Sequence, residues 1–228
     1  MILESPSNPN ANQEVDQTHQ AARISLRPWE HGGAQYGQYR VSARSGVLTG
    51  TGVDGDGPVF SLRWTDTQVQ FVLQFLEAYY IATGAFTAAQ EISLGAVLAS
   101  AFTVADSSGS AISLAAAGRV RKSMAVSKVN DMRIGDTTKV TAGTRTLDGF
   151  DFVQGGGLVN DPNIAAGTEQ IHPNGRYGFT YALNMAAGEH PIVLGANEGI
   201  VIRNKIVFPA AGNCRLFVNV GWMEVPAL

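Results

Sequence analysis

Side chains that alternate apolar and polar with a period of two dominate the chain. In Phe60, Leu62 and Trp64 against Ser61, Arg63 and Thr65 the alternation is clean, which places one set on a core and the other outward in a strand. Ile92, Leu94, Ala96 and Leu98 against Ser93, Gly95, Val97 and Ala99 predict a second strand within 92–102. In the last run Leu216, Val218, Val220 and Trp222 share one side and Phe217, Asn219, Gly221 and Met223 the other, so the first set is expected to face the core of a central strand. The runs at 190–194, 200–208 and 214–224 are cut apart by Gly195-Ala-Asn-Glu-Gly199 and Pro209-Ala-Ala-Gly-Asn213, a pattern that predicts a meander of consecutive antiparallel strands.

The stretch 66–83 fits two periods. Val69, Val72, Leu73, Leu76 and Tyr80 form a helical stripe, whereas Val69, Phe71, Leu73, Phe75, Tyr79 and Ile81 alternate, with Glu77 as the offender. Its aromatic and β-branched content selects a strand. Shorter strands are expected after Ala22, around Tyr36, Tyr39 and Val41, at Ile112–Leu114, and within 124–129, 131–135 and 144–148. Residues 155–189, with Gly155-Gly-Gly157, Asp161-Pro162 and Pro173-Asn-Gly175, read as a long excursion around a strand at 177–183. Regular turns and the lack of a capped amphipathic helix predict an all-β, two-sheet antiparallel β-sandwich, jelly-roll-like, over 24–228. Residues 1–23 are rich in Asn, Gln and Pro and too poor in large apolar side chains to offset the entropy of ordering alone; they read as an extended N-terminal arm laid on a partner.

Composition narrows the function classes. Charged residues are 15% of the chain and the net charge is −3, so no basic field gathers phosphates and nucleic acid is not the expected partner. A weakly charged surface suits extensive protein contacts. Cys214 is the single cysteine and, beside Leu216 and Val218, is expected to pack rather than react. The first ten residues carry neither a basic start nor an apolar segment, and the apolar runs are shorter than the roughly 18–20 residues of a membrane span, so neither an export signal nor a membrane partner is expected.

The search for chemistry yields little. Gly50-Thr-Gly52-Val-Asp-Gly55 matches a dinucleotide pattern but leads through Gly57-Pro58 into a strand instead of a helix. The loop at Asp54 and Asp56 reads as a plain glycine-rich turn, with a weak cation site on its two carboxylates as the alternative. His19, His31, His172 and His190 are scattered without metal-ligand spacing. Asp131 and Arg133 are expected side by side on one strand face, Asp148 and Asp151 in a loop, and Glu198 is expected to fix its turn or pair with Arg203. No catalytic residue, cofactor or metal is assigned.

Pro58-Val-Phe-Ser-Leu-Arg-Trp64, Ala101-Phe-Thr-Val-Ala-Asp-Ser-Ser-Gly109, Met132 to Asp148, His190-Pro-Ile-Val-Leu194, Asn197-Glu-Gly199 and Val220-Gly-Trp-Met-Glu-Val225 together resemble, in this order, a family of structural proteins of tailed bacteriophages, the capsid decoration or cement proteins. The resemblance spans roughly 24–225 and implies a non-enzymatic virion protein on the capsid surface, assembled in the host cytoplasm. The major capsid protein and further copies of the chain, as a homotrimer, would be its partners. It carries no catalytic residue across, and Arg145, Asp148 and Glu198 fall to fold-keeping. Arg27, Pro28 and Trp29, with the arm, are the expected capsid contact, and exposed positions of the meander the trimer contact. The alternative is a receptor- or glycan-binding module of a head or tail fibre, using Trp29, Tyr36, Tyr39 and Tyr177.

Overall fold

The computed structural model describes residues 37–50, 53–84, 86, 89–114, 125–129, 131–159, 177–184, 189–208 and 212–226, and the backbone of four short strands between residues 3 and 22. The chain divides into two units, Met1–Gly32 and Gly33–Leu228. In the first, β1 (Leu3–Ser5) pairs antiparallel with β2 (Asn8–Gln13), and β3 (Val15–Asp16) with β4 (Ala21–Ala22). The strand expected after Ala22 lies outside the described residues.

The second unit is a two-sheet antiparallel β-sandwich. Its strands are β5 (Gln38–Arg44), β6 (Leu48–Thr49), β7 (Pro58–Trp64), β8 (Val69–Ala82), β9 (Gln90–Ser100), β10 (Ser110–Ala111), β11 (Asp131–Ile134), β12 (Thr146–Leu147), β13 (Val153–Val159), β14 (Tyr177–Ala182), β15 (Ile192–Leu194), β16 (Glu198–Asn204) and β17 (Asn213–Pro226). One sheet runs β10-β11-β7-β16-β9-β12, with β13 also on β9; the other runs β14-β8-β17-β5, with β15 on β8 and β6 on β17. Among the eight principal strands, β5 pairs with β17, β7 with β16, β8 with β14 and β9 with β13, as in one long hairpin folded across itself. The β17–β8 and β16–β9 pairings then join the halves.

The inward rows of the two sheets form one core. Phe60, Leu62, Trp64, Leu94, Ile200 and Ile202 come from the β16 sheet, and Leu73, Leu76, Tyr80, Leu216, Val218 and Trp222 from the β17 sheet. Full burial of each large side chain contributes about 1.5–3 kcal/mol. Trp222 stacks between Tyr39 and Phe71, both at 5.6 Å between ring centroids, and Phe71 in turn meets Trp64 at 5.8 Å. The Trp64 indole N–H donates to Val69 O at 2.9 Å, so this ring is buried without orphaning its polar atom.

The strand read from 66–83 is β8, and a bulge within it explains why two periods competed there. Gly221 pairs with Phe75 and Trp222 with Leu73, so Gln74 is the extra residue and the alternation changes parity across it. Val69, Phe71 and Leu73 point inward before the bulge, and Leu76, Ala78, Tyr80 and Ala82 after it. Phe75, Tyr79 and Ile81, expected inward, therefore stand on the outer face, where Glu77 is no offender.

Three further expectations are corrected. The last three runs are not a meander: β15 joins β8, β16 lies between β7 and β9, and β17 between β8 and β5. The turns between them carry the chain from one sheet to the other, and alternation reports a strand's face without naming its neighbour. The position of β17 inside its sheet is as expected. Gly155-Gly-Gly157 is not loop but part of β13, laid along Leu94 to Ile92 of β9. A Cβ on Gly155 would come within 2.1 Å of Gly178 O, and one on Gly178 within 1.9 Å of Ala78 O. The glycines let β13 and β14 close one side of the sandwich backbone to backbone. Described residues 125–129 and 112–114, finally, are not strands.

Candidate functional site

On the outer face of the β16 sheet the polar rows of β7 and β11 meet the segments 101–109 and 141–148. Asp131 pairs with Arg63 at 3.0 Å, directly across the β11–β7 register. Arg63 Nη1 also donates to Thr103 O at 2.9 Å, and Arg133 Nη1 to Ser108 O at 3.1 Å. Asp131 and Arg133 do share a face, as expected, but each is spent on another segment. Phe102 lies under two guanidinium groups, Arg145 at 5.1 Å and Arg63 at 6.0 Å from its ring centre. Arg145 donates to the Asp106 carboxylate, which also accepts the Gly143 N–H at 2.8 Å. The expected fold-keeping place of Arg145 is therefore a buried ion pair holding two loops on a sheet.

The glycine-rich loop at Asp54 and Asp56 carries its own cations. Lys139 Nζ sits 2.7 and 2.5 Å from the two Asp54 oxygens, and this hydrogen bond holds the Asp54 carboxyl below its usual range. Lys205 reaches Asp56 at 3.0 Å and Asp151 at 3.0 Å, while Arg203 reaches Asp151 at 2.9 Å and Asp56 at 3.5 Å. Ammonium and guanidinium groups are the partners of both carboxylates, the arrangement of a glycine-rich turn closed by surface ion pairs. No metal-holding group of three His, Cys, Asp or Glu side chains exists among the described residues.

Glu198 fixes its turn, one of the two roles expected of it: its Oε2 accepts the Gly195 N–H at 2.7 Å, and Asn197 beside it has φ +64°. Arg203 pairs with Asp151 instead. Cys214 is buried, and burial pushes its thiol far up, so it packs as expected. The buried acid not anticipated is Glu224. It follows Trp222 on the core side of β17 and accepts from Ser127 Oγ at 2.7 Å, Lys128 N at 2.9 Å and Trp222 Nε1 at 3.2 Å. Burial pushes its carboxyl up, against the lowering effect of these bonds and of the Lys128 charge. Continuing the alternation from Trp222 by two residues would have found it. With Tyr39 O–H donating to Ala125 O at 3.1 Å, it anchors residues 125–129 to the end of the sandwich.

Arg27, Pro28 and Trp29, the expected capsid contact, lie outside the described residues, as do Tyr36, His19, His31 and His172. Tyr39 and Tyr177 are buried, Tyr39 under Trp222, and offer no binding platform. Two other aromatic features face outward. Tyr79 and Phe217 stack at 5.3 Å on the outer face of the β17 sheet, with exposed Arg40 and Arg44 on the neighbouring β5. Phe150, at the tip between β12 and β13, is 89% exposed. Comparison of the chain with family models, curated proteins and solved structures gives no match.

Proposed function

We propose that the chain is a virion structural protein, a capsid decoration or cement protein that binds the outer surface of a phage head as a homotrimer and ties neighbouring capsomers together. The observation that carries this reading is the strand order. Numbered one to eight, the principal strands run 1-8-3-6 in one sheet and 2-7-4-5 in the other. That order supports a jelly roll, an architecture that recurs in viral capsid and lectin domains. The step from fold to role is an analogy, and the resemblance of the ordered segments between 24 and 225 to phage decoration proteins adds to it.

The chemistry of the described residues supports a binding role. Asp54, Asp56, Asp106, Asp131 and Asp151 are each engaged by a lysine or arginine of the same chain. The mechanism is mass action: a protein bound only to the assembled shell stabilises that shell by its binding free energy, and many copies multiply a modest contribution. The arm and Arg27-Pro28-Trp29 are the proposed shell contact.

Co-sedimentation of the purified chain with heads assembled in its absence tests the reading, beside pull-downs on host cells and immobilised glycans. Saturable binding to heads with no retention on cells or sugars is the expected result. Retention on sugars without binding to heads would replace it with the fibre-module reading.

A further inference from the structure

Phe150 is exposed, yet the segment that carries it is pinned. Between the pairs Leu147↔Ala99 and Val153↔Ala96, residues 148–152 lie opposite only Val97 and Leu98, so the edge strand bulges outward there. Asp148 N donates to Leu98 O at 3.0 Å and Phe152 N to Ala96 O at 2.8 Å, closing the bulge at both ends. Asp151 is locked by Arg203 and Lys205, and a Cβ at Gly149 would meet nothing within 4 Å. The fold thus holds an aromatic ring out in solvent on a preorganised mount, with exposed Asp148 beside it.

The opposite edge of the same sheet carries a matching hollow. A groove of about 410 Å³ lies along β10, β11 and the segment held by Glu224, lined by Ile112, Leu114, Val126, Val129 and Met132. At its rim stands Arg133, and the exposed Lys128 lies in sequence between Ser127 and Val129 of its wall, 4.0 Å from Asp66; Asp131, which also lines it, is paired with Arg63. The volume admits a phenyl ring, and the rim cations complement Asp148. With β10 and β12 at the two ends of the sheet order and strands about 4.8 Å apart, the bulge and the groove are separated by roughly 24 Å. One molecule cannot join them.

We propose that Phe150 of one copy seats in the Ile112–Met132 groove of the next, with Asp148 against Lys128 and Arg133. Contact between two different patches of the same chain is heterologous, and it closes into a ring when the rotation permits. The inference rests on the trimer part of the function proposed above and is independent of capsid binding. It moves the trimer contact from the strands near the C-terminus to the two edges of the β16 sheet. A rigid aromatic centred in an apolar pocket is the residue type that dominates such interfaces.

Sedimentation velocity on the full chain and on Phe150→Ser tests the contact. The wild type is expected at the mass of a closed ring, and Phe150→Ser at the monomer mass of 24.1 kDa, with self-association weakened about thirtyfold or more. A ring that persists in Phe150→Ser overturns the contact and leaves the trimer reading standing; a monomeric wild type overturns both. Orientation is tested by mixing a Gly149→Cys chain, which keeps Phe150, with a Val126→Cys chain and a short bis-maleimide, since Cys214 is buried and does not compete. One-to-one adducts of the mixture are expected. Adducts of Gly149→Cys with itself would make the contact isologous and contradict the arrangement.

Discussion

The Arg145 guanidinium and the Asp106 carboxylate meet inside the protein, with 4% and 1% of their side chains exposed. Removing one partner leaves a buried charge unpaired, whereas removing both leaves an apolar site. Arg145→Met or Asp106→Ala alone should cost about 3–5 kcal/mol of stability. Arg145→Met with Asp106→Ala should cost less than the sum. Urea unfolding of the four proteins measures this; additive losses would show that the pair is not coupled.

Glu224 makes stability depend on pH in a defined direction. Its folded-state pKa is raised above the ordinary 4.5 by burial, so between that value and the raised one the native state holds a proton that the unfolded chain has lost. The contribution of this group to stability therefore falls as pH rises through that window and levels off above it. In Glu224→Gln the contribution is absent, so the difference in unfolding free energy, variant minus wild type, should shift toward the variant from pH 4 to pH 7. A difference that stays constant, or moves the other way, contradicts the assignment.

The close approach of β14 to β8 makes a sharp contrast between two glycines. Gly178→Ala places a methyl 1.9 Å from Ala78 O and should cost at least about 2 kcal/mol. Gly149→Ala meets nothing and should stay within about 0.5 kcal/mol of wild type. Thermal unfolding of the two variants separates packing from surface effects.

These contrasts also mark where the sequence was legible. The faces of β7, β9 and β17 follow from alternation because each is regular over its length, and a two-sided pattern requires a core on one side. The face of β8 does not, since an extra residue at Gln74 reverses every position after it. Strand neighbours stayed hidden for the same physical reason at β16 and β17: a turn of Gly and Asn serves equally well for a hairpin and for a crossing between sheets. Gly155-Gly-Gly157 looked like loop because its role is to lack side chains where two backbones meet. The candidate contacts were less legible still. Phe150 is marked only by an exposure that no local pattern encodes, and the Asp54 loop gave no sign that Lys139 and Lys205, distant in sequence, would neutralise it.

Removing residues 1–23 should leave the body as stable as before, because every described residue of the sandwich core belongs to the second unit. Binding to heads should fall. Calorimetry and co-sedimentation on the truncated chain test both halves, and undiminished binding would remove the arm from the proposed contact.

The rupture of heads assembled without the chain, followed by release of their DNA on heating, tests the cement role most directly. Adding the purified chain should raise the release temperature, and the rise should saturate with bound copies. An unchanged release temperature on fully decorated heads would contradict the proposal that the chain stabilises the shell.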